Sequence, residues 1–381
     1  MKKNNPSVAL LVPSLNQGGA ERVSVRLTEA WKNAGISTRL ILFDGRIQSY
    51  EASVPVIDLS LPAMDGWMAK GVNWIRRAWA LSKEFKRQPV SQVVAFMDSA
   101  AIPATIAKRL GWITAHLTIS IRDDVECLPK SAGMIARRLY PMADRIVFPA
   151  EDLRNRVIAQ WGLPAERCVS IYNPLDKKCL NPAPGLNDRE PIILACGRLD
   201  QQKGFDTLIR SFAMSGLSAS HRLVILGKGA LFADLFQLAR DLGVANRLDL
   251  HGSVDNVLDW MRRSALFVLS SRHEGFPNVL AEAMACGCPC VATDCPTGPR
   301  EMLINMQSGI LVPVDDTQAL AAAMNIMMGN RTQACSFARE ARKTAESWAV
   351  EQIAPRWIIN STIDNRQGNF CNSPEGEHVK S

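Results

Sequence analysis

Twice along this chain a short apolar run without alternation leads into a turn and then a helix-spaced segment, and that repeat leaves little choice of fold. Val8-Ala9-Leu10-Leu11-Val12-Pro13 opens the first series. Continuous apolar runs of this length read as strands buried on both faces, as in a parallel sheet. Asn16-Gln17-Gly18-Gly19 turns the chain, and Ala20 to Asn33 carries apolar residues at helical spacing. Gly35 stops that helix, and Thr38-Arg39-Leu40-Ile41-Leu42-Phe43 is the next strand. A strand–helix–strand unit of this kind demands a right-handed parallel crossover. Further strands are predicted at 93–97, 115–121 and 145–148.

From Asn173-Pro174 to Glu190 the sequence is rich in Pro, Asn and Asp and loses its periodicity, which marks a linker. A second α/β series follows, with strands predicted at 192–196, 222–226, 248–251, 266–269 and 289–292. At 381 residues two domains are expected. The reading is therefore α/β, with two doubly wound Rossmann-like domains: residues 1–172, a linker over 173–190, and residues 191–345. Ligands of such sheets sit beyond the C-terminal strand ends, which places the site in the cleft between the domains. Residues 346–360 read as a terminal helix, and 361–381 as a polar, disordered tail.

Composition removes several function classes. No run of 18 or more apolar residues appears, so no spanning helix is expected. Lys2-Lys3-Asn4-Asn5-Pro6 leads straight into a strand, without the apolar core of a signal peptide, which predicts a cytoplasmic protein. The formal charge of +7 suits an anionic partner. Nucleic acid is disfavoured, because none of its binding modules is present and aromatics do not interleave with basic clusters. Ten cysteines include Cys286-x-Cys288-x-Cys290-(x)4-Cys295, which superficially suggests a metal clip. There the first Cys ends a helix, Gly287 breaks the chain and Cys290 opens a strand, so the thiols need not converge. Neither metal nor disulfide is expected.

The chemistry concentrates after residue 190. Glu274-Gly275-Phe276-Pro277-Asn278-Val279-Leu280-Ala281-Glu282 holds two carboxylates eight residues apart. At 3.6 residues per turn they fall about 80° out of step, and Gly-Phe-Pro forbids one continuous helix. A loop carrying Glu274, then a helix opening near Pro277 with Glu282 on its second turn, satisfies both constraints. Upstream, Gly197-Arg198-Leu199-Asp200-Gln201-Gln202-Lys203-Gly204 sits between a strand and a helix, where an Arg fork, a Lys charge and helix N–H groups suit a diphosphate. Gly18-Gly19-Ala20-Glu21-Arg22 lies at the first strand-to-helix turn, where two glycines let a ligand approach the backbone. A surface turn with incidental basic residues is the plainer alternative for either glycine loop.

Taken together, the Gly-Arg-(x)4-Lys-Gly element and the two glutamates resemble the retaining glycosyltransferases of family 4. Those enzymes have the GT-B architecture and take nucleotide-sugar donors. The resemblance implies that the terminal helix crosses back to the first domain, that Arg198 and Lys203 stabilise the departing diphosphate, and that Glu274 meets donor-sugar hydroxyls. It further implies that Glu282 holds the ribose, that the backbones of Gly275, Phe276, Pro277 and Asn278 serve the sugar and phosphates, and that Gly197 with Gly18 and Gly19 faces the donor. His251-Gly252-Ser253-Val254-Asp255-Asn256 would cradle the base, with Gly252 and Val254 beside it. Many relatives have a His where this chain has Arg122, so a histidine role there is replaced by acceptor orientation or phosphate contact. Asp123-Asp124 is not an Asp-x-Asp metal motif. His116 reads as a core residue, His273 as a brace for the glutamate loop, and Pro296-Thr297-Gly298-Pro299-Arg300-Glu301 as a loop near the donor or a plain turn.

Residues 66–87 form a basic amphipathic segment. Trp67, Trp74, Ala78, Leu81 and Phe85 share one helical face; Arg76, Lys83 and Arg87 lie opposite; Lys70 and Arg77 flank it. Six basic residues against Glu84 fit a helix on anionic lipid, or recognition of a polyprenyl-linked pyrophosphate, while the plain alternative is a solvated face. The combined expectation is a metal-independent, cofactor-free hexosyltransferase. It moves sugar from a UDP-sugar to a lipid-linked saccharide at the inner face of the cell membrane, in surface polysaccharide or oligosaccharide synthesis. A UDP-sugar epimerase and an idle nucleotide-sugar-binding scaffold are the rival readings.

Overall fold

The computed structural model describes residues 6–359 other than 17, 65, 123–129, 182–184 and 186–187. The Asp123-Asp124 pair and the 361–381 tail lie outside the described residues. Within them, the N-terminal sheet has seven strands: β1 (Ser7–Val12), β2 (Ser37–Leu42), β3 (Val56–Asp58), β4 (Gln92–Phe96), β5 (His116–Ser120), β6 (Arg145–Phe148) and β7 (Cys168–Ser170). They are ordered β3-β2-β1-β4-β5-β6-β7 and all pair in parallel. The helices between them are α1 (Gly19–Asn33), α2 (Trp67–Arg87), α3 (Asp98–Arg109), α4 (Lys130–Leu139) and α5 (Glu151–Trp161).

The second sheet has six parallel strands, β8 (Glu190–Cys196), β9 (Arg222–Leu226), β10 (Leu248–Gly252), β11 (Ser264–Leu269), β12 (Cys290–Thr293) and β13 (Ile310–Val312), in the order β10-β9-β8-β11-β12-β13. Its helices are α6 (Phe205–Ser215), α7 (Phe232–Asp241), α8 (Val257–Arg263), α9 (Asn278–Ala285), the single turn α10 (Pro299–Met302), α11 (Thr317–Gly329) and α12 (Arg331–Glu346). Sequence reading had no strand at β3, β7 or β13. Each is three residues long, too short to show a pattern.

Both faces of each sheet are covered, which explains the non-alternating strands. In the N-terminal domain Ala9, Leu11, Val93 and Leu117 pack with Ala78, Leu81 and Phe85 of α2 on one face. Val8, Leu10 and Val12 pack with Leu27 and Trp31 of α1 on the other. The terminal helix predicted over 346–360 is broken up instead. After α12 comes α13 (Val350–Ile353), and then a 3-10 turn over Ala354–Trp357 that includes Pro355. This segment crosses back to the first domain. Trp357 is fully buried with its ring 5.2 Å from that of Phe96, and Ala354 O accepts Trp31 Nε1 at 2.9 Å. The two crossings lie side by side, since Leu175 N donates to Trp348 O at 2.7 Å and Val350 N to Leu175 O at 3.0 Å.

Candidate active site

The C-terminal ends of β1, β4, β8 and β11 face each other across a cavity of about 550 Å³. Its lining includes Gly18, Gly19, Arg22 and Arg122 from the first domain, with Gly197, Arg198, Lys203 and residues 273–279 from the second. A larger cavity of about 690 Å³ opens behind α1 near Trp31, Lys177 and Pro355, away from the strand ends.

The loop after β11 carries Glu274, and α9 starts at Asn278 with Pro277 at its cap, where Pro costs no helical hydrogen bond. Glu274 is buried and its Oε1 accepts both Lys203 Nζ and Ser271 Oγ at 2.6 Å. Lys203 stands on a 3-10 turn over Gln201–Lys203, directly before α6. The Glu274 carbonyl accepts Thr297 Oγ1, so the 296–301 loop supports the glutamate loop from behind. Arg272 pins the same loop, with Nη2 2.8 Å from Asp206 and Nε 3.0 Å from Asp315. Burial pushes the Asp206 carboxyl up, but the Arg272 bond and charge outweigh it and hold the group below its ordinary value. His273 braces through its main chain, its carbonyl accepting Gln202 Nε2 at 3.0 Å, and its ring is exposed. Arg198 is open on the rim, with Nε 3.2 Å from Asp200 and Nη2 3.1 Å from Gln202.

Glu282 lies on the second turn of α9 but is fully buried and does not line the cavity. Its carboxylate is held from the first domain instead. Arg22 Nη2 lies 2.9 Å from Oε1 and 3.1 Å from Oε2, and Arg26 Nη2 lies 3.0 Å from Oε1. Two guanidinium groups make the buried charge tolerable. The Glu282 charge in turn lifts the Arg22 pKa above its ordinary value, against the effect of burial. Arg122 donates to Asn173 Oδ1 at 2.6 Å and lies over the Phe96 ring at 4.8 Å, and Asn173 Nδ2 donates to Asn278 Oδ1 at 2.8 Å. Gly19 backs onto the same side chain: a Cβ there would sit 2.8 Å from Asn278 Nδ2.

Gly252 ends β10 and Val254 follows it, two strands from β8, and neither is in the cavity lining. The loop between carries a glycine that sequence reading overlooked. A Cβ on Gly227, whose φ is 155°, would meet Gly197 O at 1.8 Å, so this turn packs directly on the Gly197 loop. The signal was Gly227-Lys228-Gly229 at a strand end. Glu301, in the loop read as lying near the donor or as a plain turn, accepts the Glu151 and Asp152 amides of α5 at 2.8 and 2.6 Å, a cap supplied by the other domain. Cys286, Cys288 and Cys295 are buried free thiols that burial pushes up to about 12, and His116 opens β5 half-buried.

On α2 Trp74, Ala78, Leu81 and Phe85 of the predicted apolar face meet the core, the Trp67 side chain lying outside what is described, and Arg77 is not at the surface. It is buried, donates to Leu61 O at 2.8 Å and Ser99 O at 3.3 Å, and lies over Phe43. Lys70, Arg76, Lys83 and Arg87 are exposed, the last pairing with Glu84 at 2.9 Å. A second apolar stripe went unread: Met68, Val72, Ile75 and Trp79 are 66%, 57%, 48% and 53% exposed.

Two parallel-sheet domains meeting at their strand ends, with carboxylates and cations in the gap, have the GT-B architecture. A solved Anabaena structure, Alr3699/HepE in complex with UDP and glucose, shares the fold with a TM-score of 0.75 at 19% identity, covering 92% of this chain and 97% of that one. Residues 176–344 match the family of glycosyl transferases group 1, and residues 18–174 match the glycosyl transferase 4-like domain. The chain belongs to this glycosyltransferase family. It is 27% identical over 360 residues to a Campylobacter jejuni N-acetylgalactosamine-N,N'-diacetylbacillosaminyl-diphospho-undecaprenol 4-alpha-N-acetylgalactosaminyltransferase, covering 91% of this chain and 97% of that protein. It is 22% identical over 352 residues to the Erwinia amylovora amylovoran biosynthesis glycosyltransferase AmsD, with 91% and 97% covered.

Proposed function

We propose that this chain transfers a hexosyl or N-acetylhexosaminyl residue, with retention and without a metal ion, from a UDP-sugar to a lipid-linked saccharide in bacterial surface polysaccharide or oligosaccharide synthesis. The observation that carries this is the Lys203–Glu274 pair, 2.6 Å apart inside the interdomain cavity. The carboxylate can accept sugar hydroxyls, while the ammonium and the Arg198 fork meet the diphosphate. As the bond from the anomeric carbon to the phosphate oxygen breaks, charge grows on that oxygen, and fixed cations stabilise it most in the transition state. The acceptor hydroxyl attacks from the same face, and its proton passes to the departing phosphate oxygen. Buried Glu274 in this reading orients the sugar through hydrogen bonds and forms no covalent bond to it. The relative from Campylobacter is named for a diphospho-undecaprenol substrate, which supports a lipid-linked acceptor here.

Thermal stabilisation by UDP-, GDP- and ADP-sugars tests the donor, because a ligand bound only by the folded state raises Tm. A selective rise with UDP-sugars is expected; no rise with any of them removes the donor reading. Stabilisation without sugar transfer to any lipid-linked acceptor would favour a binding scaffold.

The acceptor's membrane is met, in this reading, by α2 at the inner face of the cell membrane. Met68, Val72, Ile75 and Trp79 recur at helical spacing beside exposed Lys70, Arg76 and Lys83, and Lys83 Nζ lies 3.6 Å over the Trp79 ring. Apolar insertion flanked by cations is what an anionic bilayer selects. No helix among the described residues is long and apolar enough to cross a membrane. Co-sedimentation with phosphatidylglycerol vesicles is the check: Trp79→Ser should lower binding, and equal binding would remove α2 from the contact.

A further inference from the structure

We infer that the Asn278 side chain gives its amide N–H to a phosphate oxygen of the nucleotide sugar, and that Asn173 of the linker is the residue that turns it that way. This rests on the donor reading above and adds a side-chain contact to the main-chain contacts expected of Asn278.

Hydrogen-bond polarity fixes the orientation. Arg122, Asn173 and Asn278 all line the interdomain cavity. A guanidinium only donates, so Arg122 Nη2, 2.6 Å from Asn173, must meet the amide oxygen of that residue. Asn173 then has only Nδ2 to offer Asn278, and at 2.8 Å it must find Oδ1 there. Asn278 keeps its Nδ2 for the cavity. Turning Asn173 over would set its N–H groups against the guanidinium, and at 3% exposure it has no water to turn to. The Asn278 Nδ2 faces the Gly19 turn across the cleft, 2.8 Å from where a Cβ on Gly19 would sit. Among the described residues none takes a hydrogen bond from it. The carboxylates of the cavity lie elsewhere, Glu21 against Gly18 and Glu274 on Lys203 and Ser271. A group that only donates suits an oxygen that only accepts, and a charged one most strongly; in a nucleotide sugar that is a phosphate oxygen. Arg122 comes from the first domain, Asn173 from the linker and Asn278 from the second domain, so the orientation is set only where all three meet.

Calorimetric titration with UDP and with uridine reads the contact, since uridine keeps the base and ribose and lacks the phosphates. Asn278→Ala is expected to weaken UDP about tenfold, as loss of one hydrogen bond to a charged group would, and to leave uridine within about twofold. Asn173→Leu, which frees Asn278 to turn, should weaken UDP about fivefold. Together the two should cost no more than Asn278→Ala alone, because Asn173 acts through Asn278. Losses that multiply would mean that Asn173 acts through Arg122 or through the fold, and they overturn its positioning role. Unchanged UDP affinity in Asn278→Ala, or an equal loss of uridine, overturns the phosphate contact. Ligand-free melting curves identify any variant that does not fold; should Asn173→Leu be one, the isosteric Asn173→Asp takes its place. Its oxygens only accept, so it draws the Asn278 N–H to itself, and its effect on UDP must likewise shrink in the Asn278→Ala background. A wild-type chain that binds no UDP fails the donor reading itself; one that binds UDP with Asn278→Ala unaffected fails only this inference.

Discussion

In the second domain Glu274 is held by Lys203 and Ser271, both from its own domain; in the first, Arg22 and Arg26 are held by Glu282, which belongs to the other. The second domain's half of the site can keep its shape by itself. Behind Glu274 stand Thr297 and the Arg272 pairs with Asp206 and Asp315, so the loop has partners on every side. The first domain's half takes much of its shape where the domains touch, through Glu282, through Asn173 on Asn278, and through Glu301 on the start of α5, with Arg122 over Phe96 held from within. One side is preorganised and the other is organised by contact. In a transferase, chemistry on the donor gains most from fixed charges, while a wall that forms on closure can admit a bulky acceptor first.

The contrast can be broken from either side. The largest effect is expected at α2: changing Arg76, Lys83 and Arg87 together to Ser should cost about 1 kcal/mol per charge, or about 3 kcal/mol, in binding to anionic vesicles. Affinity for UDP should not move, and a fall in it would mean that the surface and the site are one unit. Lys203→Ala should mirror this, lowering turnover about a hundredfold with vesicle binding intact. Unchanged turnover would remove Lys203 from the mechanism. Gly227→Ala probes the second domain's rigidity, because the added Cβ must displace the Gly197 carbonyl. It should cost about 2 kcal/mol of stability by thermal or urea unfolding.

Acid should loosen the preorganised half by a smaller amount. Asp206 has a folded pKa below the ordinary value of 3.8. Its contribution is therefore complete above that value and is lost as pH falls through the folded one. Arg272→Gln should lower Tm at pH 7 and match the wild type near the acid limit. The pair is partly exposed, so the difference should stay under about 1 kcal/mol. An equal gap at both pH values would show that Asp206 is not the group responsible.

Much of the fold and half of the site were legible because their signals are local. Pro277 and Gly275 force a loop-to-helix break, so Glu274 and Glu282 could be placed on a loop and a second helical turn from nine residues of sequence. Lys203 and Glu274 both follow strands of one sheet, and a parallel sheet brings strand ends together. Arg22 and Arg26 gave no such signal: basic residues on an α1 turn look solvated, and their partner stands 256 to 260 positions away. On α2 two apolar stripes run side by side at the same spacing. Nothing in the pattern says whether Trp74, Ala78, Leu81 and Phe85 or Met68, Val72, Ile75 and Trp79 will meet the sheet. The neighbouring elements decide, and the first set won the core.

The burial of Trp357 against Phe96 also orders events during synthesis. The first domain's β4 and α1 wait for a tryptophan and a carbonyl that the ribosome adds only after the whole second domain. At roughly 5–20 residues per second, that domain's core stays unfinished for tens of seconds while its neighbour emerges. The first domain begins folding first and finishes last.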